Sequence, residues 1–267
     1  MDYRAGVPWF LEETVANSGF EIIIRDFYQR NFTREKPRFS LREKWGTHHR
    51  KMMPYLAEMA NRIFTAGHSS AEFSAFLELL VGHGVKLLVD VRSVPRSSRF
   101  PHFDRIEMYR RLGAAGIRYL FLGAELGGRP DGAEAYRADG LMDYRARRKS
   151  PAFQAGLAKV LQEMEKVELA LMCAEEDPLS CHRFLMICPE LVARGVSPLH
   201  IRKGGVLESQ RVVEDRLLGV QGLRAVASDS LFSFDRDAAL EEAYAGQAEK
   251  FGFRREVGAV DGRKRPT

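Results

Sequence analysis

Cys173-Ala-Glu175 and Cys181-His-Arg183 bracket a short polar stretch that follows the apolar run Leu169-Ala-Leu-Met172. Two thiols, a carboxylate, an imidazole and a guanidinium at one strand-to-helix junction allow three chemistries. Cys173 could be a nucleophile, because a thiol at the base of a loop that opens a helix is placed to ionise. Cys173, Cys181 and His182 could hold a metal, with His68 or Asp90 completing the shell. Arg183 and the free N–H groups at the helix start near Cys181 could grip an anion. Spacing favours the last. No paired C-x-x-C is present, adjacent Cys181 and His182 should diverge once they are on a helix, and Glu175, Glu176 and Asp177 oppose both a thiolate and a bound oxyanion.

The same residue types recur after other apolar runs. Gly67-His68-Ser69, Asp90-Val-Arg92 with Pro95-Arg96, and Glu125-Leu-Gly-Gly-Arg129 each end a short β-rich segment. If those segments are parallel strands, all these groups share the rim at the strand carboxyl ends, where open α/β sheets bind ligands. In that pocket Arg92, Arg96, Arg129 and Arg183 grip phosphate and the Cys181 helix start adds N–H donors. Asp90 or Glu175 would serve as general base and His68 or His182 as acid. The plainer alternatives are a turn role for His68, a structural Asp90–Arg92 ion pair and a core thiol for Cys188.

The elements that must position these residues alternate between strand and helix periods, which signals βαβ units and a parallel sheet. Strands are expected at 62–66, 86–91, 117–122, 168–172 and 197–201. Helices are expected at 70–83, 106–115, 152–166, 181–194, 208–218 and 237–251. Gly84 and Gly116 should end their helices as left-handed caps. Pro189 should kink the helix that begins at Cys181. The long Gly- and Arg-rich excursion 123–150 has the length of a lid or a disordered insertion. The expected fold is a Rossmann-like three-layer α/β sandwich with a mostly parallel sheet over 62–218. It is preceded by a flexible basic leader, 1–61, whose start could be misassigned given Met52, Met53 and Met59, and followed by a C-terminal helix and charged tail, 219–267.

At 267 residues and 45% hydrophobic composition the chain can bury one substantial core. A net charge of +5 tilts the expected partner towards a phosphate-bearing small molecule or nucleic acid. Three cysteines in a chain of this length are too few for a disulfide framework, and no membrane span or secretory signal is visible, so a cytoplasmic protein is expected. Three functions stay open: a nucleotide or nucleic-acid-end pocket, with hydrolase or transferase activity on that ligand; a non-catalytic nucleic-acid-binding module; and a metal protein using Cys173, Cys181 and His182. No cofactor is indicated.

Thr65-Ala-Gly-His-Ser69, Leu88-Val-Asp-Val-Arg92 with Pro95-Arg96, Phe103, Ala115-Gly-Ile-Arg-Tyr119, Leu126-Gly-Gly128, Met172-Cys-Ala-Glu175 with Pro178, Cys181-His-Arg183 and His200-Ile201 occur in this order. Together they resemble the bacterial and archaeal family known as domain of unknown function 488, over about 62–216. Ala66, where an aliphatic residue is common, and Pro189 depart from the family pattern. The resemblance implies a shared site at the motifs and brings no established reaction with it.

Overall fold

The computed structural model describes residues 61–97, 99–223 and 235–256. Most of the expected leader and the end of the charged tail lie outside them. The described chain is a mixed α/β domain whose six-stranded sheet is flanked by helices and runs in the order β3-β2-β4-β1-β5-β6. The strands are β1 (Arg62–Gly67), β2 (Leu87–Asp90), β3 (Arg118–Phe121), β4 (Leu169–Cys173), β5 (Ser197–Ile201) and β6 (Leu207–Ser209). All neighbours are parallel except β5 and β6. This is the Rossmann-like sandwich that the alternating pattern predicts.

Central strands are buried on both faces, as continuous apolar runs require. Every residue of β2 and β4 is buried. The helices bring matching apolar stripes: Phe73, Phe76 and Leu80 on α1 (Phe73–Gly82), and Met108 and Leu112 on α2 (Arg105–Ala114). Gly84 and Gly116 adopt φ of 71° and 73° after these helices, the left-handed caps expected of them.

Three local expectations are corrected. The excursion 123–150 is not a loose insertion. It folds into α3 (Gly123–Leu126), a 3-10 turn and α4 (Tyr144–Lys149), and buries Leu126, Leu141 and Met142 before α5 (Pro151–Met164). The helix expected from Cys181 is not one helix. Cys181 is extended, a π-turn spans Arg183–Ile187, and α6 (Cys188–Val192) starts around Pro189. Pro189 has no N–H to give the preceding turn and its ring crowds the carbonyl of Leu185, so the wider turn takes up the break instead of a kink. The segment expected to be helical from Glu208 first adds the short edge strand β6, then α7 (Gln210–Val220).

The C-terminal helix α8 (Arg236–Phe251) packs on this domain. Ala243 and Gln247 are buried, and the Gln247 Nε2 donates to the Leu179 carbonyl just ahead of Cys181.

Candidate functional site

Register brings the motifs together. β2 pairs with β4 so that Asp90 lies beside Met172, and β1 pairs with β4 so that Gly67 lies beside Cys173. The loops leaving the three strands therefore emerge side by side. They enclose a cavity of 390 Å³ lined by His68, Arg92, Ser93, Arg96, Gly128, Arg129, Tyr144, Cys173, Glu175, Ser180, His182 and Phe253, among others.

The β2 wall is a closed charge network. Asp90, fully buried, accepts from Arg92 Nε and NH2 at 2.9 and 2.6 Å, from the Arg92 backbone N–H at 3.0 Å, and from the Tyr119 hydroxyl at 2.7 Å. Arg92 NH2 also donates to the Phe103 carbonyl at 2.8 Å, and NH1 lies 3.3 Å from His68 Nε2. His68 Nδ1 lies 2.9 Å from the Ser69 carbonyl, which can only accept, so the proton sits on Nδ1 and Nε2 receives from Arg92. Burial and the neighbouring Arg92 hold the His68 pKa down at about 4. The ring is neutral at pH 7 and stacks on Phe103 at 4.1 Å between centroids. Burial, reinforced by Asp90, pushes the Tyr119 hydroxyl up, so it stays a donor. Asp90 is thus behind the cavity wall, holding Arg92, and His68 has no proton to give at the nitrogen facing Arg92.

The β4 wall collects potential ligands. Cys173 Sγ donates to Glu175 Oε2 at 2.9 Å and lies 3.4 Å from His182 Nδ1. One donor atom each from Cys173, Glu175, Cys181 and His182 falls within 4.8 Å of all the others. Cys181 and His182 converge here, contrary to the divergence expected on a helix. Cys181, at φ −124° and ψ 136°, is still extended when His182 begins the helix, so the two side chains leave in a geometry that helical spacing forbids. Burial, then Cys173, pushes the Cys181 thiol well up. Burial works against charge on His182, while Cys181 and Glu175 outweigh it and raise the ring's pKa. Burial likewise opposes the Glu175 carboxylate, but the Cys173 thiol, the residue's own backbone N–H, His182 and Cys181 together outweigh it, so its pKa lies below the usual value.

The neighbouring carboxylates turn elsewhere. Glu176 pairs with Arg202 at 2.9 Å, and Asp177 caps the following 3-10 turn and meets Arg216 at 2.9 Å. The opposition of three charges to the thiols reduces to Glu175 alone.

Arg183 is the largest fully buried side chain and lies outside the cavity lining. Its NH1 donates to the Glu175 carbonyl, its NH2 to that of Glu176 at 2.7 Å, and NH1 lies 3.5 Å from Cys181 Sγ. It clamps the loop. Gly67 is needed beneath that loop, since a Cβ there would stand 1.7 Å from the Glu175 carbonyl oxygen.

Arg96 and Arg129 are exposed at the mouth, and among the described residues neither makes an ion pair. The Arg129 guanidinium lies 4.7 Å above the Phe253 ring. The structure therefore brings His68, Arg92, Arg96, Arg129, Glu175 and His182 to one cavity, with Cys181 just behind Cys173, and leaves Asp90 and Arg183 as their supports. Ser93, Tyr144, Ser180 and Phe253 were not legible as lining residues. Ser93 and Ser180 carried no pattern, and Phe253 comes from beyond α8.

No helix among the described residues is long and apolar enough to cross a membrane. No curated protein and no solved structure matches the chain. Residues 72–187, which include Asp90, Arg92, Phe103, Tyr119 and the whole Cys173–Arg183 loop, match the family described as domain of unknown function DUF488.

Proposed function

We propose that the cavity at the strand ends binds a phosphate-bearing ligand, a nucleotide or a nucleic-acid end, and that the domain is a hydrolase or transferase acting on it. The reading is carried by Arg96 and Arg129, two guanidinium groups at the cavity mouth with no carboxylate partner among the described residues. Guanidinium groups recognise phosphate bidentately, and an unpaired pair at an opening is poised for a dianion. Arg92 supports it from within. Asp90, Phe103 and His68 engage its donors and hold the side chain where it lines the cavity. Ser93 and Tyr144 add hydroxyl donors to the lining. In this reading Glu175 and His182 are the proton-handling pair, while Asp90, His68, Cys181 and Arg183 position the walls.

The test is a thermal-shift titration with adenosine 5′-monophosphate and with a short 5′-phosphorylated oligonucleotide. A bound ligand raises the melting temperature with concentration as RT ln(1 + [L]/Kd). The expected result is a rise that disappears in the Arg96→Ala/Arg129→Ala double variant. An equal rise in the double variant, or none with either probe in the unaltered protein, sinks the proposal. A binding module without catalysis differs in turning over neither probe, so that Glu175→Gln removes no activity, while its binding falls steeply with salt.

A further inference from the structure

We infer that Cys173, Cys181, His182 and Glu175 form a zinc centre in the floor of the cavity. The inference stands on the donor geometry and is independent of whether the cavity takes a phosphate; with the metal bound, Glu175 and His182 are its ligands and no longer the proton-handling pair. Zinc bonds of about 2.3 Å to sulfur and about 2.0 Å to nitrogen, at a tetrahedral angle, put the two donors about 3.5 Å apart. Cys173 Sγ and His182 Nδ1 are 3.4 Å apart, and all four donor atoms lie within 4.8 Å of one another. The Cys173–Glu175 contact, 2.9 Å, is shorter than a pair of zinc ligands allows, and it opens by about 0.6 Å when the metal replaces the thiol proton.

The surroundings are those of a ligand set held in place. His182 Nε2 lies 3.0 Å from the Val91 carbonyl, so the proton is fixed on Nε2 and the lone pair of Nδ1 faces the sulfur. A Cβ on Gly128 would come within 3.0–3.3 Å of the His182 ring, so that backbone lies against the ring and holds its plane. Arg183 places NH1 3.5 Å from Cys181 Sγ, a charged donor to the thiolate that the metal would create. Two thiolates and a carboxylate around a divalent cation leave one negative charge, which Arg183 offsets. On binding, the Cys173 and Cys181 thiols each release their proton to solvent, and no electron moves. Two sulfurs, one imidazole and one carboxylate in a tetrahedral arrangement select zinc over the hard cations, which take oxygen ligands.

The experiment is elemental analysis of the full chain purified without chelator, with cobalt(II) replacement as a second readout. About one zinc per chain is expected, together with sulfur-to-cobalt charge-transfer absorption and the intense visible bands of a tetrahedral site. Cys181→Ser and His182→Ala should each abolish both, and where such a variant fails to fold, the cobalt spectrum of the unaltered protein still decides. Substoichiometric zinc with no chelator-sensitive cobalt spectrum overturns the centre. The Arg96→Ala/Arg129→Ala variant separates this from the phosphate reading: it keeps zinc and loses the nucleotide shift if both hold, and a metal-free protein that still binds nucleotide refutes the centre alone.

Discussion

The ends of β2 and β4 lie side by side in the sheet and are built on opposite principles. At the β2 end a buried carboxylate meets a buried guanidinium, and a tyrosine, a histidine and a carbonyl take up the donors and acceptors that remain. At the β4 end two thiols, a carboxylate and an imidazole nitrogen, most of them better acceptors than donors, are turned towards one another. The first arrangement is complete as it stands. The second gathers lone pairs around a common point, a costly thing to bury without something electropositive to share. Neighbouring strand ends can therefore separate scaffold from site, and burial alone does not tell them apart.

Breaking the β2 network should give the largest loss of stability. Asp90→Ala strands Arg92 in a buried setting, and removal of one partner from such a pair costs about 3–5 kcal/mol. Urea denaturation followed by circular dichroism is the check. Because the cost lies in the stranded partner, Asp90→Ala/Arg92→Met should be less damaging than the two single changes summed. A loss under about 1 kcal/mol for Asp90→Ala would show that the network is not the closed unit described.

Arg183→Met comes next. It frees the carbonyls of Glu175 and Glu176, each a partly buried acceptor worth up to about 1–3 kcal/mol when unsatisfied. The expected loss is roughly 3 kcal/mol, accompanied by lower zinc occupancy, because the same guanidinium holds the loop that carries Glu175. If Arg183→Met melts like the parent, the loop is held by something other than this clamp.

Acid should also destabilise the fold through two buried histidines whose pKa values are held down, His200 and His68. Burial, then the charge of Arg183, holds His200 down at about 3, between Thr65 Oγ1 at 2.8 Å and Gln210 at 3.1 Å. Its folded pKa lies below the unfolded value near 6.5, so the unfolded chain binds the extra proton in between. Stability from this group is complete above about 6.5 and is lost as pH falls towards about 3, by at most about 1.4 kcal/mol per pH unit. His68, held at about 4, adds a loss of the same sign over the upper part of that window. Denaturation midpoints measured between pH 7 and pH 4 should fall more gently in His200→Gln than in the parent. Parallel curves would refute the assignment.

Much of this was legible in the sequence, and what was missed has identifiable causes. The period of the apolar runs carries the sheet, and β5 begins and ends at Ser197 and Ile201 as expected. β6 was missed because Leu207–Ser209 has only an edge strand's pairing to define it. The cavity residues at strand ends could be named because parallel strands deliver their carboxyl ends to one rim. Which of them face it could not. Asp90 and Arg183 carry the most recognisable side chains and are turned inward, whereas Cys181 joins His182 only because the backbone stays extended for one residue more than helical spacing implies. Residue type survives in the sequence, and side-chain direction at a junction depends on a single φ/ψ pair.

The smallest expected effect is the one that most sharpens the contrast. Arg129 lies on the surface with its guanidinium over Phe253, an exposed cation–π contact worth about 0.5–1 kcal/mol. Arg129→Gln should therefore shift the melting temperature of the free protein by only a degree or two, and zinc content should not change, since the side chain touches none of the four ligands. Its effect should appear only when the adenosine 5′-monophosphate titration is repeated, as a weaker ligand-induced rise. A variant nearly silent in the free protein and impaired with the nucleotide is what a site residue must be, just as Asp90→Ala, damaging in the free protein, is what a scaffold residue must be. If instead Arg129→Gln proves as destabilising as Asp90→Ala, the mouth of the cavity belongs to the scaffold too, and the division between the two strand ends fails.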